Sequence, residues 1–366
     1  MTEEYDRRPM SDVAPILGPV TKSSARLPAE WAPQSGVMLT WPHAHGDWAP
    51  RLVQVEPVFV GIAAAVAQRE RVLISCFDAA QRMHVQALLA AADVAPARVD
   101  LRIAQSEDTW ARDHGPITVV QHGKPRLLDF RFNGWGGKYA HALDDTLTRR
   151  LQEYGAFGDT PLEAVELVLE GGSIEVDGEG TLLTTERCLC APSRNPKLSK
   201  MQLELRLKQL LGVKRILWLA HGYLAGDDTD SHIDTLARFC DAHTIAYVHC
   251  DDPQDEHYKE LTAMEAELKT FVDFAGKPYR LVPLPWPRAK LNEDGERLPA
   301  TYANFLIVNG AVLVPTYRDP ADARALAQLA TCFPDREIVP IDCLPLIYQF
   351  GSLHCVTMQL PAGVMP

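Results

Sequence analysis

Amphipathic helices alternate with short β-rich runs along this chain, which predicts an α/β fold built from repeated units. Helical periodicity recurs over residues 79–92, 142–154, 198–211, 255–274 and 320–331, with centres roughly 60 residues apart. Between them, paired β-rich runs are split by the turn signals Gly123-Lys124-Pro125, Asp177-Gly178-Glu179-Gly180 and Asn309-Gly310. Neither a G-x-G-x-x-G pattern nor a P-loop supports a nucleotide-binding open sheet. Five units, each with one helix and about three strands, therefore tile the chain. A closed ring of such units leaves a central cleft lined by strand ends and loops. The units share spacing rather than sequence, and an open α/β sheet is the competing architecture.

Taken in order, residues 1–26 are charged and Pro-containing and are expected to form a poorly ordered arm. Residues 27–366 are expected to form one domain of five units. The first apolar segment, 36–41, predicts a strand, and 52–68 has helical periodicity. Strand 72–76, helix 79–92 and strand 99–103 follow. Further β-rich runs are 117–120 with 127–130, then 165–169 with 174–176 and 181–184. Runs 216–219 with 244–248 and 305–308 with 312–315 come last.

Composition narrows the function. Of 366 residues 46% are hydrophobic, enough for a substantial core, and 36 Lys+Arg face 48 Asp+Glu for a net charge of −12. An acidic chain repels phosphate backbones, so nucleic acid is excluded as a partner, while a small cation is drawn to a cleft of this sign. Eight cysteines are scattered with no C-x-x-C, as in a reduced, cytoplasmic protein. Neither His43 with His45 nor His249 with Cys250 has zinc-type spacing. The charged N-terminus reads as no signal peptide, and the apolar span 58–66 is too short to cross a membrane.

Five polar stretches do not fit a core. Gly351-Ser352-Leu353-His354-Cys355 leads from a loop into a strand-like run that ends at Pro361. A Cys placed there has a mobile approach and a fixed backbone behind it, which suits a nucleophile; a small buried hydrophobe is the plainer use. Asp113 lies in Trp110-Ala-Arg-Asp113-His114-Gly-Pro, and Glu170 ends an apolar strand before two glycines. An isolated carboxylate at such a strand end needs a partner if buried. His232 and Asp234, two apart, face one side of an extended segment, or else cap a helix. The fifth is Tyr302-Ala-Asn304-Phe305. One Cys, one His and three carboxylates exceed the needs of a protease triad. Extra carboxylates beside an indole suit a guanidinium, whose planar fork matches carboxylates and whose charge is attracted to an aromatic face.

These stretches resemble the guanidine-modifying enzymes, most closely agmatine deiminases of the Porphyromonas-type peptidylarginine deiminase group. The resemblance spans Trp31 to Pro361 and rests on several ordered motifs. Besides those above they include Phe132-Asn-Gly-Trp-Gly-Gly-Lys138, Leu169-Glu-Gly-Gly-Ser173, Asp177-Gly-Glu-Gly-Thr-Leu-Leu-Thr-Thr185, Arg194-Asn-Pro196 and Thr229-Asp-x-His-Ile-Asp234. The resemblance implies a five-bladed pseudo-symmetric α/β propeller, the pentein fold. It also implies hydrolysis of agmatine to N-carbamoylputrescine and ammonia with no metal or organic cofactor, in a dimer or larger homo-oligomer. By the same match Cys355 is the nucleophile, His232 the acid/base, Asp113 and Asp234 the guanidinium carboxylates and Glu170 the site glutamate. Trp110 and Gly351 are expected to bind substrate with them. His114 stands where the group usually has Thr. Ser231 and Phe350 stand where it has Gly, and all three are expected to lie beside the site rather than on it. Deimination of arginine or peptidylarginine, amidino transfer, and non-catalytic cation binding on the same scaffold are the alternatives.

Overall fold

The computed structural model describes residues 25–365. The predicted N-terminal arm lies outside the described residues except for Ala25–Arg26. Those two pair antiparallel with strand Ile117–Gln121 and so belong to a sheet.

Five sheets carry one wiring pattern. Each has an antiparallel pair of strands, then a helix, then a third strand parallel to the second. In the second blade Ile117–Gln121 and Lys124–Arg131 form the hairpin, Leu147–Glu153 crosses over, and Leu162–Val168 returns parallel. In the third, Glu175–Val176 and Thr181–Thr185 are followed by helix Lys200–Leu211 and strand Arg215–Leu219. The fourth uses Ala237–Asp241, Thr244–Val248, helix Tyr258–Leu268 and Arg280–Leu284. The fifth uses Leu306–Val308, Ala311–Thr316, helix Asp322–Cys332 and Glu337–Asp342. The first blade is completed by both ends of the chain. Its strands Gln34–Thr40, Arg71–Cys76 and Val99–Ile103 run parallel, and the C-terminal strand Thr357–Pro361 pairs antiparallel with Gln34–Thr40. That pairing closes a five-bladed α/β propeller, as the spacing predicts.

Local chemistry sets the elements. Helix Lys200–Leu211 starts in a capping box between Ser199 and Gln202 and stops at left-handed Gly212. Helix Leu52–Ala67 buries Val55, Phe59, Ile62 and Val66 against the main core. With the preceding turn it makes a 19-residue apolar stretch, longer than the predicted 58–66 and long enough by length and composition to cross a membrane, yet it packs on the sheets.

Two of the helices are shorter than predicted. The 142–154 segment opens as 3-10 turn Asp144–Thr146, and 255–274 keeps only Tyr258–Leu268 as α-helix. Strands Arg280–Leu284 and Glu337–Asp342 escape sequence reading because each contains a proline. Both lie at sheet edges, where a missing N–H costs no ladder bond.

Candidate active site

In four blades the segment that enters the hairpin delivers the candidate chemistry, and in the first blade the segment entering its closing strand does so. Short helix Ala111–His114 precedes Ile117–Gln121 and carries Asp113. Glu170 and turn Gly171–Ser173 precede Glu175–Val176. His232 and turn Ile233–Thr235, with Asp234, precede Ala237–Asp241. Asn304 comes just before Leu306–Val308, and Cys355 just before Thr357–Pro361. Pseudo-fivefold wiring thus gathers residues far apart in sequence: the Arg112 backbone N–H donates to the Cys355 carbonyl, 243 positions on, at 3.1 Å.

Cys355 is 6% exposed, at the floor of a cleft of about 670 Å³ open to solvent. Its Sγ lies 3.4 Å from Asn304 Oδ1 and 3.9 Å from Asp234 Oδ2. Asn304 Oδ1 also accepts the backbone N–H groups of His354 (2.8 Å) and Cys355 (3.3 Å), which fixes the loop that carries Cys355. Burial, with the Asp234 and Asp113 carboxylates, pushes the Cys355 thiol well above its usual range.

Asp113 Oδ2 accepts the Trp135 indole N–H at 2.9 Å, and Oδ1 accepts the Gly172 N–H at 3.0 Å. Its Oδ1 is 3.6 Å from His232 Nδ1, and both side chains are buried. Burial, partly offset by His232, pushes Asp113 up to about 6. For His232, burial opposes the charged ring, but Asp113, Cys188 and Glu170 outweigh it and raise its pKa well above the ordinary value. Gly172 sits among these groups. A Cβ there would lie 2.6 Å from His232 Nδ1, 2.8 Å from Asp113 Oδ1 and 3.2 Å from Asp234 Oδ2.

Asp234 is fully buried. Its Oδ2 accepts from His354 Nδ1 at 2.7 Å, and its Oδ1 has no hydrogen-bond partner among the described residues. Burial would raise its pKa, but His354, His232 and Arg238 hold it below the usual carboxylate range.

Glu170 is buried and paired with a cation. It does not line the cleft; Arg194 Nε takes both of its oxygens at 2.8 and 3.1 Å. Arg194 also donates to Asp230 Oδ2 (2.6 Å) and the Thr229 carbonyl (2.8 Å). Glu170 is therefore positioned to act on His232 rather than on a ligand. Glu170, Cys188 and His232 bring a carboxylate, a thiol and an imidazole within 4.8 Å of one another, the one such metal-capable group among the described residues. The Arg194 guanidinium already neutralises that carboxylate, and a positively charged His232 ring offers no lone pair, so the trio fits a cation poorly.

Trp110 and Gly351 line the cleft against each other; a Cβ on Gly351 would lie 2.1 Å from the Trp110 ring. Phe350 also lines it, so this departure lies on the site and not beside it. His114 and Ser231 do not line it. Burial pushes the His114 pKa down to about 3, which keeps its ring neutral. The cleft is also lined by Asp47, Asp108, Asp227 and Asp228 and by the rings of Trp110, Trp135, Tyr139 and Phe350, of which Asp47 and Tyr139 are exposed. Asp227 is engaged by Thr229 and Ser231, and Asp228 by the Tyr139 hydroxyl at 2.6 Å. Among the described residues no Lys or Arg lines the cleft. Arg112, next to Asp113, turns away toward Gln359 Oε1 (2.5 Å) and Glu30 (3.6 Å).

The sequence pattern of the Porphyromonas-type peptidyl-arginine deiminases matches residues 26–361. The chain belongs to that peptidyl-arginine deiminase family. It is 35% identical to the agmatine deiminase of Stutzerimonas stutzeri over 92% of this chain and 95% of that one. It superposes with TM-score 0.86 and 36% identity on a C. jejuni agmatine deiminase, a Cys-to-Ser form with substrate bound, covering 93% and 97% of the two chains. A Porphyromonas gingivalis protein provisionally described as an arginine deiminase superposes with TM-score 0.88 and 53% identity, covering 93% and 100%.

Of the family-matched residues, Cys355, Asp113, Trp110 and Gly351 line the cleft, while His232, Asp234 and Glu170 stand behind them. Sequence reasoning missed roles for Asn304, Trp135, Arg194 and His354, although each lies inside a quoted motif. It missed Glu30 altogether, which no motif flagged.

Proposed function

We propose that this chain hydrolyses agmatine to N-carbamoylputrescine and ammonia through a covalent intermediate on Cys355. The observation that carries the reading is the cleft. A buried Cys lies at its floor beside Asp113, the Asp234 carboxylate stands behind the sulfur at 3.9 Å, and the walls carry aromatic rings and acidic groups with, among the described residues, no lining Lys or Arg. A guanidinium suits the floor, and a second cation suits the acidic walls. Free arginine would bring an α-carboxylate to the same acidic walls with no cation to meet it. Relatives named agmatine deiminase support the choice.

Asp113 and the unpartnered Asp234 Oδ1 hold the guanidinium nitrogens and aim the carbon at Cys355 Sγ. The thiol is neutral in the free protein, and entry of the cation offsets the carboxylates that keep it so. Its proton leaves to solvent, and the thiolate adds to the guanidinium carbon. His232 gives a proton to one nitrogen of the tetrahedral adduct, the C–N bond breaks, and ammonia departs, leaving a thiouronium intermediate on Cys355. Neutral His232 then takes a proton from water as the oxygen adds to the same carbon. Collapse breaks the C–S bond, frees thiolate and the ureido product, and the hydroxyl proton passes to solvent. Glu170, held by Arg194, keeps the His232 environment acidic, and Trp110 stacks along the substrate chain.

The test is side-by-side kinetics on agmatine, arginine and an arginine peptide, with ammonia and ureido product measured. Agmatine is expected to lead arginine by at least about 100-fold in kcat/KM, roughly 3 kcal/mol of transition-state discrimination. Equal or better use of arginine overturns the substrate and leaves the deiminase chemistry standing.

A further inference from the structure

Behind Asp234 lies a row of buried charges with no part in the bond-making and bond-breaking steps. His354 is 1% exposed. Its Nδ1 is 2.7 Å from Asp234 Oδ2, and its Nε2 is 2.7 Å from Glu30 Oε2. Glu30 comes from the segment before the first blade. Its Oε1 accepts the Ile307 N–H at 2.7 Å, and its Oε2 faces Arg238 Nη2 at 3.0 Å and Arg112 Nη2 at 3.6 Å. Arg238 Nε in turn meets Glu175 Oε1 at 3.0 Å, which also accepts the Phe239 N–H at 3.2 Å.

Two facts fix the state of the His354 ring. A neutral imidazole has one N–H and one lone pair, so one of its two carboxylate contacts would set lone pair against lone pair at 2.7 Å. Every other contact of Glu30 and Glu175 comes from a donor, so neither calls for a proton of its own. Charge agrees: Asp234, Glu30 and Glu175 are three carboxylates against the two guanidiniums of Arg112 and Arg238, all buried. One more buried cation balances them. Burial, Arg112 and Arg238 favour the neutral ring, while Glu30 and Asp234 favour the charged one. Burial also pushes Glu175 up to about 7. The two short contacts decide for the imidazolium.

We propose that His354 is a positioning residue for Asp234: a doubly protonated ring, anchored by Glu30, that holds Oδ2 so that Oδ1 faces the guanidinium. This rests on the reading of Asp234 as a guanidinium carboxylate. His354 touches neither substrate nor the reacting atoms; it acts through its neighbour. One residue before Cys355, it also ties the nucleophile's loop to the same carboxylate.

Nitrogen NMR of the intact protein labelled at histidine nitrogens tests the ring state, with His354→Gln supplying the assignment. Both His354 nitrogens are expected to carry protons through pH 8. A single unprotonated nitrogen at neutral pH overturns the proposal, whatever the substrate proves to be. The second arm is kinetic: His354→Gln, Asp234→Asn and the double variant on the best substrate, each first shown to melt cooperatively. His354→Gln should lower kcat/KM at least about tenfold in the native background and under about threefold beside Asp234→Asn, because the two act as one unit. Equal losses in both backgrounds reduce His354 to a structural group. Should Gln fail to fold or Asp234→Asn be inactive, His354→Arg, which keeps cation and donors, is expected to retain more activity than His354→Asn; the reverse order overturns the proposal.

Discussion

Gly172→Ala adds one methyl group at the point where the candidate acid/base and both carboxylates converge. The backbone there is not left-handed, so the change introduces no torsional strain and acts through space alone. The new Cβ would lie 2.6 Å from His232 Nδ1 and 2.8 Å from Asp113 Oδ1. Ordinary contact begins near 3.4 Å, so these groups must retreat by about 0.6–0.8 Å or the Gly172 backbone must move away. Moving the backbone lengthens the 3.0 Å bond from Gly172 N–H to Asp113, so either response displaces Asp113. A misplacement on the order of 1 Å costs about 100-fold in rate, while overpacking costs about 1–3 kcal/mol in stability. The expectation is a folded variant with kcat/KM on agmatine down at least about 50-fold and Tm lowered by a few degrees. Gly61→Ala is the control. It lies in helix Leu52–Ala67 with nothing within 4 Å of the added Cβ, and should leave kinetics unchanged while gaining about 0.5–1 kcal/mol of stability. Native kinetics in Gly172→Ala would show that His232 and Asp113 do not work from the positions described.

Cys355→Ser should fold and bind agmatine yet lose turnover by at least about 1,000-fold, since a hydroxyl does not ionise as a thiol does. Mass spectrometry of quenched native enzyme should find the adduct on the Cys355 peptide; an adduct on Cys188 or Cys240 would relocate the nucleophile. The pH dependence follows from Asp113 and His232. Asp113, raised by burial to about 6, binds its proton more tightly folded than unfolded, so its contribution to stability is lost as pH rises from about 4 to 6. Asp113→Asn lacks that loss, and its Tm relative to native should improve between pH 4 and pH 7 while activity falls. A relative Tm that worsens over that window contradicts the assignment. His232, raised above its ordinary value, stabilises the fold fully below about pH 6.5 and loses that contribution as pH rises from there through its raised pKa, above which activity should also decline.

How much of this was legible in the sequence depends on what each element answers to. Strand 99–103 and the helix ending at 211 were readable because local pattern and capping agree with the final packing. The proline-bearing edge strands were not, since only the finished sheet shows that Pro283 and Pro340 face no partner on one side. In the site, Cys355, Asp113, His232 and Asp234 stood out as polar residues in apolar surroundings. Glu170 stood out as a strand-end carboxylate in need of a partner, but the partner, Arg194, was not readable. That ion pair joins residues 24 apart with no periodic relation, which no local pattern records. Glu30 was invisible for the same reason, its partners Ile307 and His354 lying 277 and 324 positions away.

The two departures from glycine show what the site asks of its backbone. Ser231, just before His232, has φ +67°, and Phe350, just before Gly351, has φ +66°. Both are left-handed, a conformation that disfavours side chains by roughly 1–2 kcal/mol. Ser231 is held there by its N–H to Asp227 Oδ2 at 2.7 Å and its carbonyl, which accepts from Thr185 Oγ1 at 2.7 Å. Those bonds aim the next residue, His232, inward. Phe350 ends the turn Ile347–Gln349, and its ring lines the cleft over Cys355. The strain at this position therefore places a fourth aromatic ring in the cleft lining with Trp110, Trp135 and Tyr139. Glycine would relax the turn and open that wall, so Phe350→Gly is expected to raise KM for agmatine more than it lowers kcat; a loss confined to kcat would contradict this reading of the Phe350 ring.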